Sequence, residues 1–207
     1  MRRNTKLLSL IAAAIILIAV QITLVIEIKI EQKQEQSVTN EIIEEPQIIQ
    51  EEIVSEDELI RLKMEKFIET YGNLNKQQIK ILLDTLEENS EEPLIMLAIY
   101  KQESKFKMYA NSYCGAEFGR GVGQVSEIGL TDYNWKNGTD YKPEDLYDIR
   151  INVIVSCWIY EYNEKYGVYG TNKKIIAYNE GHVHAKKKSK SAYLDKVNDN
   201  ILLFEEM

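Results

Sequence analysis

Residues 94–104 of the sequence are Leu-Ile-Met-Leu-Ala-Ile-Tyr-Lys-Gln-Glu-Ser, an apolar segment that ends beside the carboxyl group of Glu103. Ser90 is a suitable cap for a helix here, and Pro93 suits its first turn. The sequence therefore predicts a helix with Glu103 in its last turn. The negative end of the helix dipole and the apolar neighbours both favour a neutral carboxyl, so we expect a raised pKa for Glu103.

Helical periodicity recurs on both sides of this segment, because apolar residues repeat at a spacing of three or four. Between residues 108 and 131 the pattern breaks at five glycines, which predicts irregular loops or a small hairpin. The expected fold class is therefore mainly α, with a glycine-rich insert after the third helix. The other predicted helices are Glu56–Gly72, one that starts at the cap residue Asn75, Pro143–Tyr166, Asn172–Asn179 and Ser189–Phe204.

The N-terminal part carries an uncharged apolar run from Leu7 to Ile26, about as long as a membrane-spanning helix requires. Basic residues precede the run and glutamates follow it, so the positive-inside rule places residues 1–6 in the cytoplasm. A cleaved signal peptide is the alternative. The length of the run and the lack of an A-x-A-like site favour a single-pass anchor at 7–26, with the folded domain outside the cell membrane.

The formal net charge of -8 is concentrated in one region. Glu27–Glu58 carries a net charge of -9, whereas Leu59–Met207 carries only -2. We therefore interpret residues 27–55 as an acidic stalk or linker and residues 56–207 as a nearly neutral domain. A protein that binds nucleic acid needs a basic patch or stripe, so nucleic acid is not an expected partner.

The cysteines and histidines give little indication of a metal or cofactor. Cys114 and Cys157 allow either a disulfide or two small buried hydrophobes. His182 and His184 precede a lysine run that we expect to be a solvated loop, and no further ligand stands at zinc spacing. Neither a metal nor a cofactor is expected.

Four short motifs lie in order along residues 94–197. They are Glu103-Ser104-x-Phe106, Ser112 followed by Gly115-Ala116 and Gly121-Val122-Gly123-Gln124, Ala177-Tyr178-Asn179-Glu180-Gly181, and Tyr193-x-x-x-Val197. Together they resemble the catalytic domain of the soluble lytic transglycosylases, and Asn152 is similar to the asparagine of that family's middle helix. The resemblance implies a lysozyme-like helical fold of the goose-type lysozyme and transglycosylase kind.

The resemblance also implies a chemistry. Glu103 would protonate the β-1,4 bond between N-acetylmuramic acid and N-acetylglucosamine and then act as base on the sugar's own 6-hydroxyl, leaving a 1,6-anhydro end. Ser112 would orient the muramoyl residue, and Gln124 would border the cleft. Tyr178 and Asn179 would contact the saccharide. The expected partners are peptidoglycan strands and the membrane, and an anchored wall enzyme suits either local wall remodelling or the assembly of a secretion or conjugation apparatus.

The number of candidate carboxyl groups in the sequence is consistent with this chemistry. Ordinary glycosidases use two carboxyl groups at a defined separation, and no second acid stands out here. A mechanism that uses the substrate's own hydroxyl needs none. A goose-type lysozyme-like hydrolase and a non-catalytic wall-binding module remain alternatives. The acids considered as a second carboxyl are Glu117, Glu127, Asp132 and Glu180.

The sequence departs from the family pattern near the cleft. Residues 117–120 lengthen the loop before Gln124, and Ser126-Glu127 replaces a usual Met-Pro. Gly123 stands where a methionine is usual, which predicts a cleft without one wall side chain. Twelve of the thirteen tyrosines lie between residues 100 and 193. Trp158 and Tyr160 are expected in the core, whereas Tyr109, Tyr113 and Trp135 are equally suited to sugar contact or to packing.

Overall fold

The computed structural model describes residues 55–114 and 117–207. The predicted cytoplasmic segment 1–6, the anchor 7–26 and all of the stalk except Ser55 lie outside these ranges, so they stay predictions. Among the described residues, no helix combines the length and the apolarity that crossing a membrane requires.

Helices make up most of the described residues, which confirms the mainly α prediction. Two short 3-10 helices, Pro143–Tyr147 and Asn163–Tyr166, flank the fifth α-helix. The α-helices are α1 (Glu56–Tyr71), α2 (Lys76–Asn89), α3 (Pro93–Ser104), α4 (Glu127–Asn137), α5 (Ile149–Tyr162), α6 (Thr171–Glu180), α7 (His182–Lys187) and α8 (Ala192–Glu205).

The start of α3 corrects one predicted cap. Ser90 ends α2 instead of starting α3, and its side chain accepts a hydrogen bond from the Glu92 amide at 3.1 Å. Glu92 itself stands at the N-cap position, with Pro93 in the first turn. The cap of α2 is as predicted, since the side chains of Asn75 and Gln78 form a reciprocal capping box.

The glycine-rich insert forms a three-stranded antiparallel sheet in the order β1-β2-β3. Ser112 of β1 pairs with Gly119 of β2, and Gly119 pairs with Ser126 of β3. Helix α4 follows directly, although its first part falls in the segment predicted as irregular. The strands are β1 (Asn111–Cys114), β2 (Glu117–Arg120) and β3 (Val125–Ser126).

Two further predicted elements are wrong in their extent. The predicted helix 143–166 is broken, because Asp148 caps a new helix by accepting hydrogen bonds from the amides of Arg150 and Ile151. The 3-10 turns on either side are separate elements. The lysine run, expected to be a loop, lies partly in the short helix α7.

Helix α3 lies in the middle of the main hydrophobic core, with every residue from Met96 to Tyr100 buried. Cys157 of α5 also lies in this core as a free, buried thiol, so it does not form a disulfide. Burial raises the pKa of Cys157 to about 12, which keeps its sulfur protonated. Of the two interpretations left open for this cysteine, the small buried hydrophobe is the observed one.

Candidate active site

Glu103 is directed by the way α3 ends. The buried hydroxyl of Ser104 donates to the carbonyl of Val122 at 2.8 Å. Lys105 and Phe106 then adopt left-handed backbone angles, and the Phe106 ring is fully buried against Phe67. The chain therefore turns sharply after Glu103, and the contacts of Ser104 and Phe106 fix the end of the helix that carries its carboxyl group.

The loop facing Glu103 is held by one amide from α5. The Asn152 side chain is fully buried, and its Oδ1 accepts from the Gly123 amide at 2.8 Å. Its Nδ2 donates to the carbonyls of Arg120 and Leu146, each at 2.8 Å. Gly121 has a φ of 74°, and a Cβ there would lie 2.2 Å from the Asn152 nitrogen. A glycine is thus required for this loop to lie against Asn152.

Gln124 contributes to the same loop. Its φ of 50° is in the left-handed region, and its Nε2 donates to the carbonyls of Ala110 and Gly121 at 3.0 and 2.8 Å. The side-chain nitrogen of Gln124 is therefore hydrogen-bonded to the backbone, even though the residue lines the cleft.

Gly123 lacks the wall side chain that is usual at its position, but it leaves no gap in the cleft wall. A Cβ at Gly123 would lie 2.9 Å from both Ser156 Cβ and Tyr178 Oη. The Tyr178 hydroxyl donates to the Gly123 carbonyl at 2.7 Å. Tyr178 and α5 therefore occupy the space that a side chain at this position would need.

All five residues singled out in the sequence line one cleft of about 320 Å³. Helix α3 contributes Glu103, the sheet contributes Ser112 and Gln124, and α6 contributes Tyr178 and Asn179. The remaining lining residues are Gly119, Val125, Ser126, Gly129 and Ile159.

The environment of Glu103 favours its neutral form. Burial raises the pKa of Glu103, and a hydrogen bond from the Tyr193 hydroxyl to Oε1 offsets part of that rise. The direction is the one predicted from the sequence, with burial as the main cause. The contact with Tyr193 was missed, because the two residues lie 90 positions apart and the sequence singled out Tyr193 only as part of a motif.

The other acids considered are engaged or exposed. Glu127 forms an ion pair with Arg120 at 2.8 Å. Glu180 pairs with Lys188 at 2.6 Å, and that hydrogen bond lowers the pKa of Glu180. Asp132 is exposed, and the side chain of Glu117 lies outside the described part of the chain. Among the described side chains that line the cleft, Glu103 is the only acidic one.

Asn152 was singled out in the sequence, but Ser156 and the cleft residue Ile159 on the same face of α5 were missed. The three residues stand at i, i+4 and i+7. Asn152 and Ser156 are fully buried polar residues, whereas the other buried residues of α5 are apolar or aromatic. Two buried polar residues aligned on one face indicate that this face contacts a loop as well as the core.

The aromatic residues separate into two groups. Tyr160 is buried as predicted, whereas Trp158 is only partly buried. Tyr109, Tyr113 and Trp135 are exposed and are absent from the lining of the cleft. Within the described ranges, no three His, Cys, Asp or Glu side chains gather closely enough to hold a metal ion.

A mainly helical domain with one partly buried carboxyl in a cleft beside a small sheet is typical of the lysozyme-like class. Residues 82–201 match the model of the family described as Transglycosylase SLT domain. Because the match covers more than half of its length, the chain belongs to this family, as the four motifs predicted. Membership supports peptidoglycan lytic transglycosylase activity in general terms. Comparisons with curated proteins and with solved structures gave no match.

Proposed function

We propose that this protein is a membrane-anchored peptidoglycan lytic transglycosylase that uses Glu103 as its acid and base. It would cleave the β-1,4 bond between N-acetylmuramic acid and N-acetylglucosamine and leave a 1,6-anhydromuramoyl end. The observation that carries the proposal is the Glu103 carboxyl itself, because burial raises its pKa inside a cleft that no other described acid lines.

In the first step, protonated Glu103 donates its proton to the glycosidic oxygen while the bond from that oxygen to C1 breaks. The N-acetylglucosamine then leaves with a free 4-hydroxyl. A raised pKa increases the protonated fraction of Glu103 at any given pH, which favours its action as a general acid. Tyr193 holds Oε1, so the other carboxyl oxygen is assigned to the glycosidic oxygen.

In the second step, the Glu103 carboxylate removes the proton from the 6-hydroxyl of the muramoyl residue. Its O6 bonds to C1 and closes the anhydro ring, and Glu103 returns to its protonated form. Water is not consumed, and one carboxyl serves both steps. A mechanism with one carboxyl fits a cleft with a single described acid better than a two-carboxylate mechanism does.

The other four cleft residues are assigned roles according to their free groups. Ser112 and Asn179 are exposed, so their polar groups are suited to bind the saccharide. The Tyr178 hydroxyl and the Gln124 amide nitrogen are already bound to backbone carbonyls. We therefore assign Tyr178 and Gln124 mainly to shaping the wall, with the Tyr178 ring as the surface that the sugar contacts.

The cellular setting is part of the same proposal. Residues 7–26 would anchor the chain, residues 27–55 would act as a stalk, and residues 56–207 would act on the wall outside the membrane. Local wall remodelling and assembly of an envelope-spanning secretion or conjugation apparatus both suit that arrangement. Fractionation of cells that express the full chain tests the anchor: we expect membrane association that deletion of residues 1–26 abolishes.

Digestion of purified peptidoglycan by the full chain tests the activity. We expect muropeptides lighter than the hydrolytic products by the mass of one water, and none from Glu103→Gln. Glu180→Gln is the matched control, since Glu180 is next to Asn179 but paired with Lys188. Reducing ends without anhydro sugars would identify a lysozyme-like hydrolase. Equal binding and no products from both wild type and Glu103→Gln would identify a wall-binding module.

A further inference from the structure

Four partly exposed rings form a continuous surface at the end of α5. Trp158 stacks on Tyr162 at 4.3 Å between ring centres, and Tyr166 stacks on His182 at 4.2 Å with the two planes only 10° apart. Tyr162 and Tyr166 meet edge to face at 5.5 Å and join the two pairs. We call these four residues the aromatic platform.

The platform adjoins the cleft along α5 and again at the junction of α6 and α7. Ile159 lines the cleft, and Tyr162 follows it by three residues, about 5 Å further along the axis of α5. Asn179 near the end of α6 also lines the cleft, and His182 at the start of α7 follows it by three residues. Both segments thus carry a cleft residue and, three residues later, a platform residue.

Helix α4 borders the platform from a third side. Its residue Gly129 lines the cleft and packs so closely that a Cβ would lie 2.7 Å from Ile159 Cδ1. At the other end of α4, the Lys136 ammonium lies 5.9 Å from the centre of the Tyr162 ring and 3.9 Å from that of Trp135. The Trp135 side chain is 74% exposed.

The chemistry of this surface suits a carbohydrate. The hydrophobic face of a sugar ring packs on an aromatic ring, and its hydroxyl groups accept hydrogen bonds from a nearby ammonium group such as that of Lys136. Rings already stacked on each other lose little conformational freedom when a ligand binds. Tyr166 remains 38% exposed in spite of its stacking partner, so an outer part of the platform is open to a ligand.

We infer that the aromatic platform binds the part of the glycan strand that extends beyond the cleft. The inference rests on the proposed function, because continuity with the cleft is what identifies the occupant as the same strand. The platform therefore favours long strands over short fragments, without taking part in the bond cleavage at Glu103.

Binding is tested first in the full-length Glu103→Gln protein, which holds substrate without turnover. In cosedimentation with insoluble peptidoglycan, Tyr166→Ala is expected to weaken binding about tenfold, the size of one good ring contact. Tyr166→Phe keeps the ring and should bind as before. Tyr109→Ala removes an exposed ring outside the platform and should change nothing. Unchanged binding by Tyr166→Ala would overturn the inference.

Turnover provides the second test. With Glu103 intact, Tyr166→Ala should raise KM about tenfold for long glycan strands and leave kcat/KM unchanged for a short oligosaccharide that fills only the cleft. An equal loss on both substrates would contradict a platform beyond the cleft. If the wild type cleaves neither substrate, the proposed function fails, and the binding arm still decides the role of the platform.

Discussion

Helix α3 carries a glutamate at each end, and the two have opposite surroundings. At the N-terminal end, Glu92 accepts hydrogen bonds from Tyr160 and Thr171 and forms an ion pair with Lys174 at 2.8 Å. At the C-terminal end, Glu103 has the hydroxyl of Tyr193 as its hydrogen-bond donor.

The two carboxyl groups respond oppositely in pKa. Burial would raise the pKa of Glu92, but hydrogen bonds from Lys174, Thr171 and Tyr160 outweigh it and leave the pKa below its ordinary value. For Glu103, burial raises the pKa by more than the hydrogen bond from Tyr193 lowers it, so the pKa rises. The helix dipole adds to both shifts, because its positive N-terminal end favours the ionised form of Glu92 and its negative C-terminal end favours the neutral form of Glu103. A partly buried acid is thus structural where a cation faces it and chemically available where none does.

The largest expected effect is on turnover. Glu103→Gln should reduce the rate of wall cleavage about 1,000-fold, because it removes the proton donor and acceptor. Glu92→Gln should keep the rate per folded molecule within about twofold when measured below its unfolding temperature. Steady-state rates on soluble glycan strands measure both. A comparable loss from the two variants would remove the distinction between the ends of α3.

Stability should depend on the ion pair of Glu92 with Lys174 at the N-terminal end of α3. The Lys174 side chain is only 6% exposed and also pairs with Glu161 at 2.7 Å. Lys174→Met should lower the free energy of unfolding by about 3 kcal/mol, because it leaves these carboxylates without their cation. Lys80→Met removes a lysine from the exposed pair with Asp84 and should cost less than about 1 kcal/mol. Denaturant titration of both variants checks this, and equal effects would contradict it.

The pH dependence of stability should distinguish the two acids by sign. Glu92 has a lowered pKa in the folded state. Its contribution to the free energy of unfolding is therefore present above the ordinary pKa of 4.5 and is lost as the pH falls through the folded-state pKa. Glu103 has a raised pKa, so its ionisation destabilises the fold as the pH rises above 4.5.

Replacing each acid by glutamine shows whether its ionisation stabilises or destabilises the fold. At pH 7, Glu103→Gln should raise Tm and Glu92→Gln should lower it. At a pH below the folded pKa of Glu92, where both carboxyl groups are protonated even in the folded state, both differences should shrink. Thermal unfolding at the two pH values is sufficient, and a lower Tm for Glu103→Gln at pH 7 would show that its burial is not a cost.

The smallest expected effect concerns Tyr193, which donates a hydrogen bond to Glu103. Tyr193→Phe removes a hydrogen bond that lowers the pKa of Glu103, so that pKa should rise further. The alkaline limb of the kcat/KM profile should therefore move to higher pH, while the maximal rate falls severalfold as the carboxyl loses its fixed orientation. A shift to lower pH would mean that Tyr193 acts on the reaction in another way.

The sequence predicted what local residues determine. An apolar helix ending at Glu103 was enough for the direction of its pKa, and ordered motifs were enough to find five residues of the cleft. The partners of Glu92 could not be predicted, since Tyr160, Thr171 and Lys174 lie 68 or more positions further along the chain.

The errors in the helix boundaries have two causes. The continuous helix expected over 143–166 overlooked a local signal, the side chain of Asp148 that caps a new helix. Helix α4 was missed because Gly129 suggested a loop, whereas the close packing against Ile159 requires a glycine there. That packing joins residues distant in sequence, so it leaves only a weak local signal.

We propose that a single carboxyl is sufficient because the substrate's own hydroxyl replaces water. Digestion of peptidoglycan in water enriched in oxygen-18 distinguishes the two. We expect new muramoyl ends without oxygen-18, and no new ends from Glu103→Gln. Incorporation of one oxygen-18 atom at each new reducing end would contradict it and would require a water, and a base to activate it, in this cleft.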